Sequence, residues 1–178
     1  TGTLTLTGQN TYTGNTFVGN STVSGGTLVL GVTNALPTTT QLALAASAML
    51  DVEFNQTIAG FFNAGELSSI LHLDTGTTFT VAMPVANTST TFAGTVNGEG
   101  TFAVSGAGGD VVNLTGSVAS TVGTSVGSGA TLIVATGGAI AGPISLGSGS
   151  SFTLGSSGTQ TFANVISGAG SIVASAGT

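Results

Sequence analysis

Neither lysine nor arginine occurs anywhere in the 178 residues, and cysteine and tryptophan are absent as well. Six Asp and Glu residues leave a formal net charge of −6, and charged residues make up only 3% of the chain, where an ordinary soluble domain is about a quarter charged. With no basic side chain, ion pairing is confined to the terminal amine and His72, so hydrophobic burial and hydrogen bonds must hold the fold. Whole classes of function fall away with the cations. Nucleic-acid binding draws most of its affinity from Lys and Arg on phosphates, attraction to anionic membranes uses the same groups, and phosphoryl transfer needs a cationic clamp. Without Cys there is no disulfide framework and no thiol chemistry. No stretch has the basic start of a signal peptide, and the longest apolar run, residues 42–50, is too short for a membrane helix. The expectation is a mature or excised segment whose targeting information lay upstream.

What is present is β-forming. Thirty Gly and only three Pro punctuate a chain rich in Ser and Thr, and Gly at this density opposes helix, as do β-branched Thr and Val. The one helix-like stretch, "LALAASAML" at 42–50, is read as strand, because Leu42, Leu44, Leu50, Val52 and Phe54 keep a two-residue period. Apolar–polar–apolar triplets recur between Gly, Ser and Asn turns: Leu28-Val29-Leu30, Leu71-His72-Leu73, Phe79-Thr80-Val81, Phe102-Ala103-Val104, Ile144-Ser145-Leu146 and Phe152-Thr153-Leu154. Whole phrases recur as well. "GGTLVLGVTNAL" (25–36), "GTTFTVAMPVAN" (76–87), "GATLIVATGGAI" (129–140) and "GSSFTLGSSGTQ" (149–160) share a layout, and "FAGTVNGEGTFAVSGAG" (92–108) matches "FANVISGAGSIVASAGT" (162–178). Short strands in repeated phrases predict an all-β parallel solenoid, residues 1–178 forming a single domain.

"GTLTLTGQNTYTG", "VSGGTLVLG", "LDVEFNQTIAGF" and "FANVISGAGSIV" resemble the autotransporter-associated β-strand repeat of bacterial surface proteins. The resemblance covers most of the chain and is weakest over 84–128. It implies a right-handed parallel β-solenoid (β-helix) at the cell surface or outside the cell, with coils of roughly 20–25 residues stacked about 4.8 Å apart, and no catalytic residues. In that family a phrase like "ISGAGSIVASAG" runs directly into one like "GTLTLTG…NTYTG". Joining this chain's tail to its head restores that order.

A strand at the open end of a solenoid exposes unpaired N–H and C=O groups, which monomeric proteins block with charge or caps. The first fourteen residues carry no charged side chain, and the last charged residue is Asp110. Thr3, Leu4, Thr5, Leu6 and Thr7 at one end, and Ser171, Ile172, Val173 and Ala174 at the other, are therefore the expected self-association strands. The two ends differ, so such contacts propagate as an open fibre. Apolar rows including Leu28, Leu30 and Val104 are expected to fill the core. The expected function is a structural, protease-resistant fibre or sheath of head-to-tail copies, with other copies of the chain as partners and no cofactor. The competing expectation is a stalk or adhesin segment that binds a surface glycan.

The remaining chemistry is sparse. His72 and Asp74 share a strand face with Ile70, and Ser68 or Ser69 could be imagined as a nucleophile. "ELSSI" has no strained elbow or oxyanion hole, however, so the pair reads as surface and no enzyme is expected. Asp51 and Glu53 also share a face and read as solvated, although paired carboxylates can hold Ca²⁺ or act on glycans. "GAGGDVVNL" (106–114) is a broken, single copy of a Ca²⁺-binding nonapeptide. Solenoid polysaccharide lyases rely on a basic residue that is missing here. The Thr-x-Thr pairs of ice-binding solenoids occur at Thr3-Thr5-Thr7, Thr11-Thr13 and Thr78-Thr80, but irregularly. Asn20, Asn55, Asn87 and Asn113 begin glycosylation triplets, and Asn10, Asn55 and Asn63 are candidate turn caps or internal ladders.

Overall fold

The computed structural model describes residues 2–19, 25–62, 67–86, 88–106, 108–119, 121–155 and 161–175, and among them every regular element is a strand. The chain winds as a β-solenoid of about seven turns. A first coil holds β1 (Thr3–Leu6) and β2 (Thr16–Val18), a second β3 (Gly26–Leu30) and β4 (Gln41–Leu44). The third holds β5 (Ala48–Val52), β6 (Gln56–Ile58) and β7 (Gly60–Phe61). Next come β8 (Ile70–Leu73), β9 (Thr78–Met83) and β10 (Ser89–Phe92), then β11 (Thr95–Gly98), β12 (Thr101–Gly106) and β13 (Val111–Leu114). They are followed by β14 (Ser117–Val118), β15 (Gly123–Val126) and β16 (Thr131–Val134), then β17 (Ala139–Ile140), β18 (Ile144–Leu146) and β19 (Ser151–Leu154). β20 (Ile166–Gly168) and β21 (Ser171–Ala174) close the described part.

Three faces result. The first stacks β1-β3-β5-β8-β11-β14-β17 and the second β6-β9-β12-β15-β18-β20. The third runs β2-β4-β7 and then β10-β13-β16-β19-β21. All described pairings are parallel. Between the two halves of the third face, the Thr90 hydroxyl spans the break, accepting from Phe61 N–H at 2.7 Å and donating to Phe61 C=O at 3.0 Å. One side-chain oxygen thus serves both backbone groups of a strand residue.

Alternation drives each strand's orientation: one set of side chains turns to the axis and the next to solvent. The first face lines the core with Leu28, Leu50, Leu71, Val96, Val118 and Ile140 in register. Phe79, Phe92, Phe102 and Phe152 are completely buried, each contributing roughly 1.5–3 kcal/mol of burial, and Phe61 stacks on Phe92 with ring centroids 4.7 Å apart. The 42–50 stretch is two strands joined by a turn, as the two-residue period predicts, but Phe54 lies outside the core at 48% exposure.

Coil length varies. Rungs on the first face are separated by as few as 21 residues (Met49 to Ile70) and as many as 25 (Ile70 to Thr95), whereas the third face steps by 20 from Val111 to Thr131 to Ser151 to Ser171. A common turn absorbs the variation. In eight described places an N–H bonds back to the carbonyl three residues earlier, and in six of them (Val32–Ala35, Ala45–Ala48, Asp74–Thr77, Gly127–Ala130, Ala135–Gly138 and Gly147–Ser150) the third residue has positive φ. Such a position takes Gly or Asn at least cost; four are Gly, one is Asn34 and one is Ser47.

The recurring phrases build corners and sides, and they do not mark whole coils. "GGTLVL" makes β3 on the first face, "GTTFTV" β9 on the second, and "GATLIV" and "GSSFTL" β16 and β19 on the third. In the other matched pair, Gly98 ends β11 on the first face and Gly168 ends β20 on the second. Their local geometry is the same: φ is +101° and +107°, and a Cβ at either would overlap the backbone of the coil beneath, at Leu73 and Leu146 respectively. The 70 residues between them correspond to three coils and one further face.

Candidate functional site

Both expected end strands are edge strands. β1 pairs only with β3, and β21 only with β19; Thr7 lies just past β1. Leu4 and Leu6 continue the inward columns of Leu28 and Leu30, and Ile172 and Ala174 those of Phe152 and Leu154. Nothing described covers these last rungs, so Leu4 is 60% and Ile172 56% exposed although both point along the core axis. The first end opens into a hollow of about 500 Å³ floored by Leu6, Val18, Leu28 and Leu36. Tyr12 stands at its rim, its hydroxyl 2.5 Å from Thr16 Oγ1. β21 and β1 occupy the third and first faces, which follow one another in the winding order.

The charged groups gather elsewhere. Register places Asp51, His72 and Asn97 in one outward column on β5, β8 and β11, with Asp74 two residues beyond His72. His72 Nδ1 lies 2.8 Å from Asn97 Oδ1 and His72 Nε2 lies 3.4 Å from Asp74 Oδ1. Single ligand atoms of Asp51, His72 and Asp74 all fall within 4.8 Å of one another. Burial pushes the Asp51 carboxyl above its usual range, His72 opposes that shift and Asp74 adds to it. The column was not foreseen from sequence, because its spacings of 21 and 25 residues follow from the unequal coils.

The imagined triad does not assemble. Ser69 is fully buried, Ser68 Oγ accepts the Ser47 N–H at 3.1 Å, and the groove beside His72 is lined by Leu73, Asp74, Thr75, Gly98, Glu99 and Thr121. Asp110, in the broken nonapeptide, is buried and accepts from the Thr88 N–H at 3.0 Å and the Thr88 hydroxyl at 3.1 Å. Its carboxylate ties two successive coils together, and a Cβ at Gly106 would collide with it. The outward column through Thr3 continues as Thr27, Met49 and Ile70, and that through Thr78 as Thr101 and Gly123. No Thr-x-Thr array therefore repeats from coil to coil on these columns.

Asparagines stitch successive coils. Asn10 Nδ2 donates to Ala35 C=O at 2.8 Å, Asn34 Oδ1 accepts from Thr57 N–H at 3.0 Å, and Asn55 Oδ1 accepts from Thr78 N–H at 2.8 Å. Asn10, Asn34 and Asn55 thus bond between coils through their side chains. Asn20, Asn63 and Asn87 lie outside the described residues; Asn113 is on β13.

One lateral feature has no counterpart in the sequence reading. Phe17 and Phe62, 55% and 48% exposed, meet edge to face with centroids 5.6 Å apart. Ala43 pairs with Phe17 on the coil between them, and its small side chain lets the rings meet over it. Comparison with protein-family models, with curated proteins and with solved structures finds no match to this chain.

Proposed function

We propose that this chain is a structural, self-associating β-solenoid that works outside the cell or at its surface, stacking head-to-tail into a fibre or sheath. The observation that carries this reading is the state of the two ends: inward-pointing Leu4 and Ile172 more than half exposed, edge backbone open, and no charged side chain on either last rung. Charge and caps are what keep such edges apart. In a stack, β21 leads into the neighbouring β1 and pairs laterally with the neighbouring β2, because both β21 and β2 belong to the third face. The neighbouring coil can come from a second copy or from an adjoining stretch of a longer polypeptide; its geometry is the same.

Negative-stain electron microscopy of the purified chain tests the reading. Thin filaments of uniform width are expected, whereas discrete rods about 34 Å long, from about seven turns of about 4.8 Å, would overturn it. Leu4→Lys or Ile172→Lys should abolish filaments, since an unpaired charge in the junction costs several kcal/mol. Thr80→Lys, on the outward side of β9, should leave them intact.

The exposed Phe17–Phe62 pair favours a second reading, an adhesive lateral face that stacks on the apolar side of a sugar ring. In that case Phe17→Ala with Phe62→Ala removes glycan binding and leaves end-to-end assembly unchanged.

A further inference from the structure

We propose that Asp51, His72 and Asp74 form a binding site for a divalent ion of the zinc class, clamping the third and fourth coils together on the first face. Asn97 Oδ1 can only accept a hydrogen bond, so its 2.8 Å contact places a proton on His72 Nδ1. Nε2, on the other side of the ring, faces Asp74 Oδ1 at 3.4 Å. That separation exceeds the roughly 2.7–2.9 Å of a charge-assisted N–H···O bond. It equals, within a tenth of an ångström, the edge of a tetrahedron with metal–ligand bonds of about 2.0–2.1 Å, which is about 3.3 Å.

Asp51 supplies the second argument. Its Oδ1 is buried and has no hydrogen-bond partner. In most proteins a Lys or Arg would compensate, but this chain has neither. An ion from solution can take that place. One imidazole and two carboxylates suit a borderline ion such as Zn²⁺ better than Ca²⁺, which takes six to eight oxygens. Asn97 acts as the positioning residue that fixes the ring and its tautomer. His72 and Asp74 also line the groove beside Leu73, Thr75 and Glu99.

Calorimetric titration of the EDTA-stripped, desalted full chain with ZnCl₂ tests the site. One saturable equivalent is expected, with a rise in unfolding temperature and a tetrahedral Co²⁺ absorption spectrum when cobalt is substituted. Asp51→Asn, His72→Gln and Asp74→Asn each weaken binding by more than about tenfold, and Asn97→Ala by about 10–100-fold. Glu99→Gln, beside the groove but outside the ligand set, stays within about threefold of the parent. The proposal is overturned by no saturable binding, by Ca²⁺ binding as tightly as Zn²⁺, or by full affinity in a folded His72→Gln chain. The cobalt spectrum of the unmutated chain decides the matter if the variants fail to fold, an octahedral all-oxygen spectrum counting against it.

Discussion

Thr90 and Thr124 are both buried, at 8% and 2% exposure, and the same substitution should move them in opposite directions. The Thr90 hydroxyl satisfies the N–H and C=O of Phe61. Thr90→Val keeps the shape and strands both groups, at about 1–3 kcal/mol for each unsatisfied group, so a loss of about 2–6 kcal/mol is expected in urea unfolding. Thr124 Oγ1 has no partner; Thr124→Val replaces an unsatisfied hydroxyl with a methyl and should gain about 1 kcal/mol. Equal effects would mean that the two hydroxyls are equivalent. At this scale the sequence was only partly legible. The i, i+2 pairs His72–Asp74 and Asp51–Glu53 follow from strand geometry alone. The column Asp51–His72–Asn97 depends on register across coils of different lengths, and no local pattern encodes it.

At the scale of the element, the corner is the repeating unit. Its αL position is filled by Gly in four of the six turns and by Ser47 at φ +58° in another. Non-Gly residues there cost roughly 1–2 kcal/mol, and Ser47 offers its backbone N–H, and no described side-chain bond, to Ser68. Ser47→Gly should therefore raise stability by about 1 kcal/mol in thermal or urea unfolding. An unchanged or lower midpoint would show that the turn is not strained. The triplets were legible because alternation reads directly as inward and outward: Leu28, Leu71, Phe79, Phe102, Ile144 and Phe152 all point inward as expected. Which face each triplet joins was not legible, since one Gly-led phrase serves all three. Phe54 escaped the pattern for a related reason. It falls beyond the end of β5, where the alternation stops.

For the whole molecule, charge is segregated by position. All six acidic residues lie between Asp51 and Asp110, so neither end carries a charged side chain. If assembly proceeds through the ends, its rate should change by less than about threefold between roughly 150 mM and 500 mM NaCl, because the Debye length there is about 8 Å or less and Asp51, on the third coil, stands about 10 Å from the first. A charge-steered contact would change by tenfold or more. Light scattering during assembly distinguishes the two. The solenoid class and the edge character of the terminal strands were both legible here, since uncharged alternating strands and recurrent Gly phrases are composition-level signals. The gathering of charge around His72 was not.

Because the same Gly-led phrase can lie on any of the three faces, loss or duplication of one phrase need not unravel the stack. It rotates everything beyond it by a third of a turn, and each strand finds a new floor of the same shape. Gly98 and Gly168 are alike in conformation and one face out of step, the arrangement that such a shift produces. A gene encoding this chain could lengthen or shorten in steps of a single side and still specify a rod.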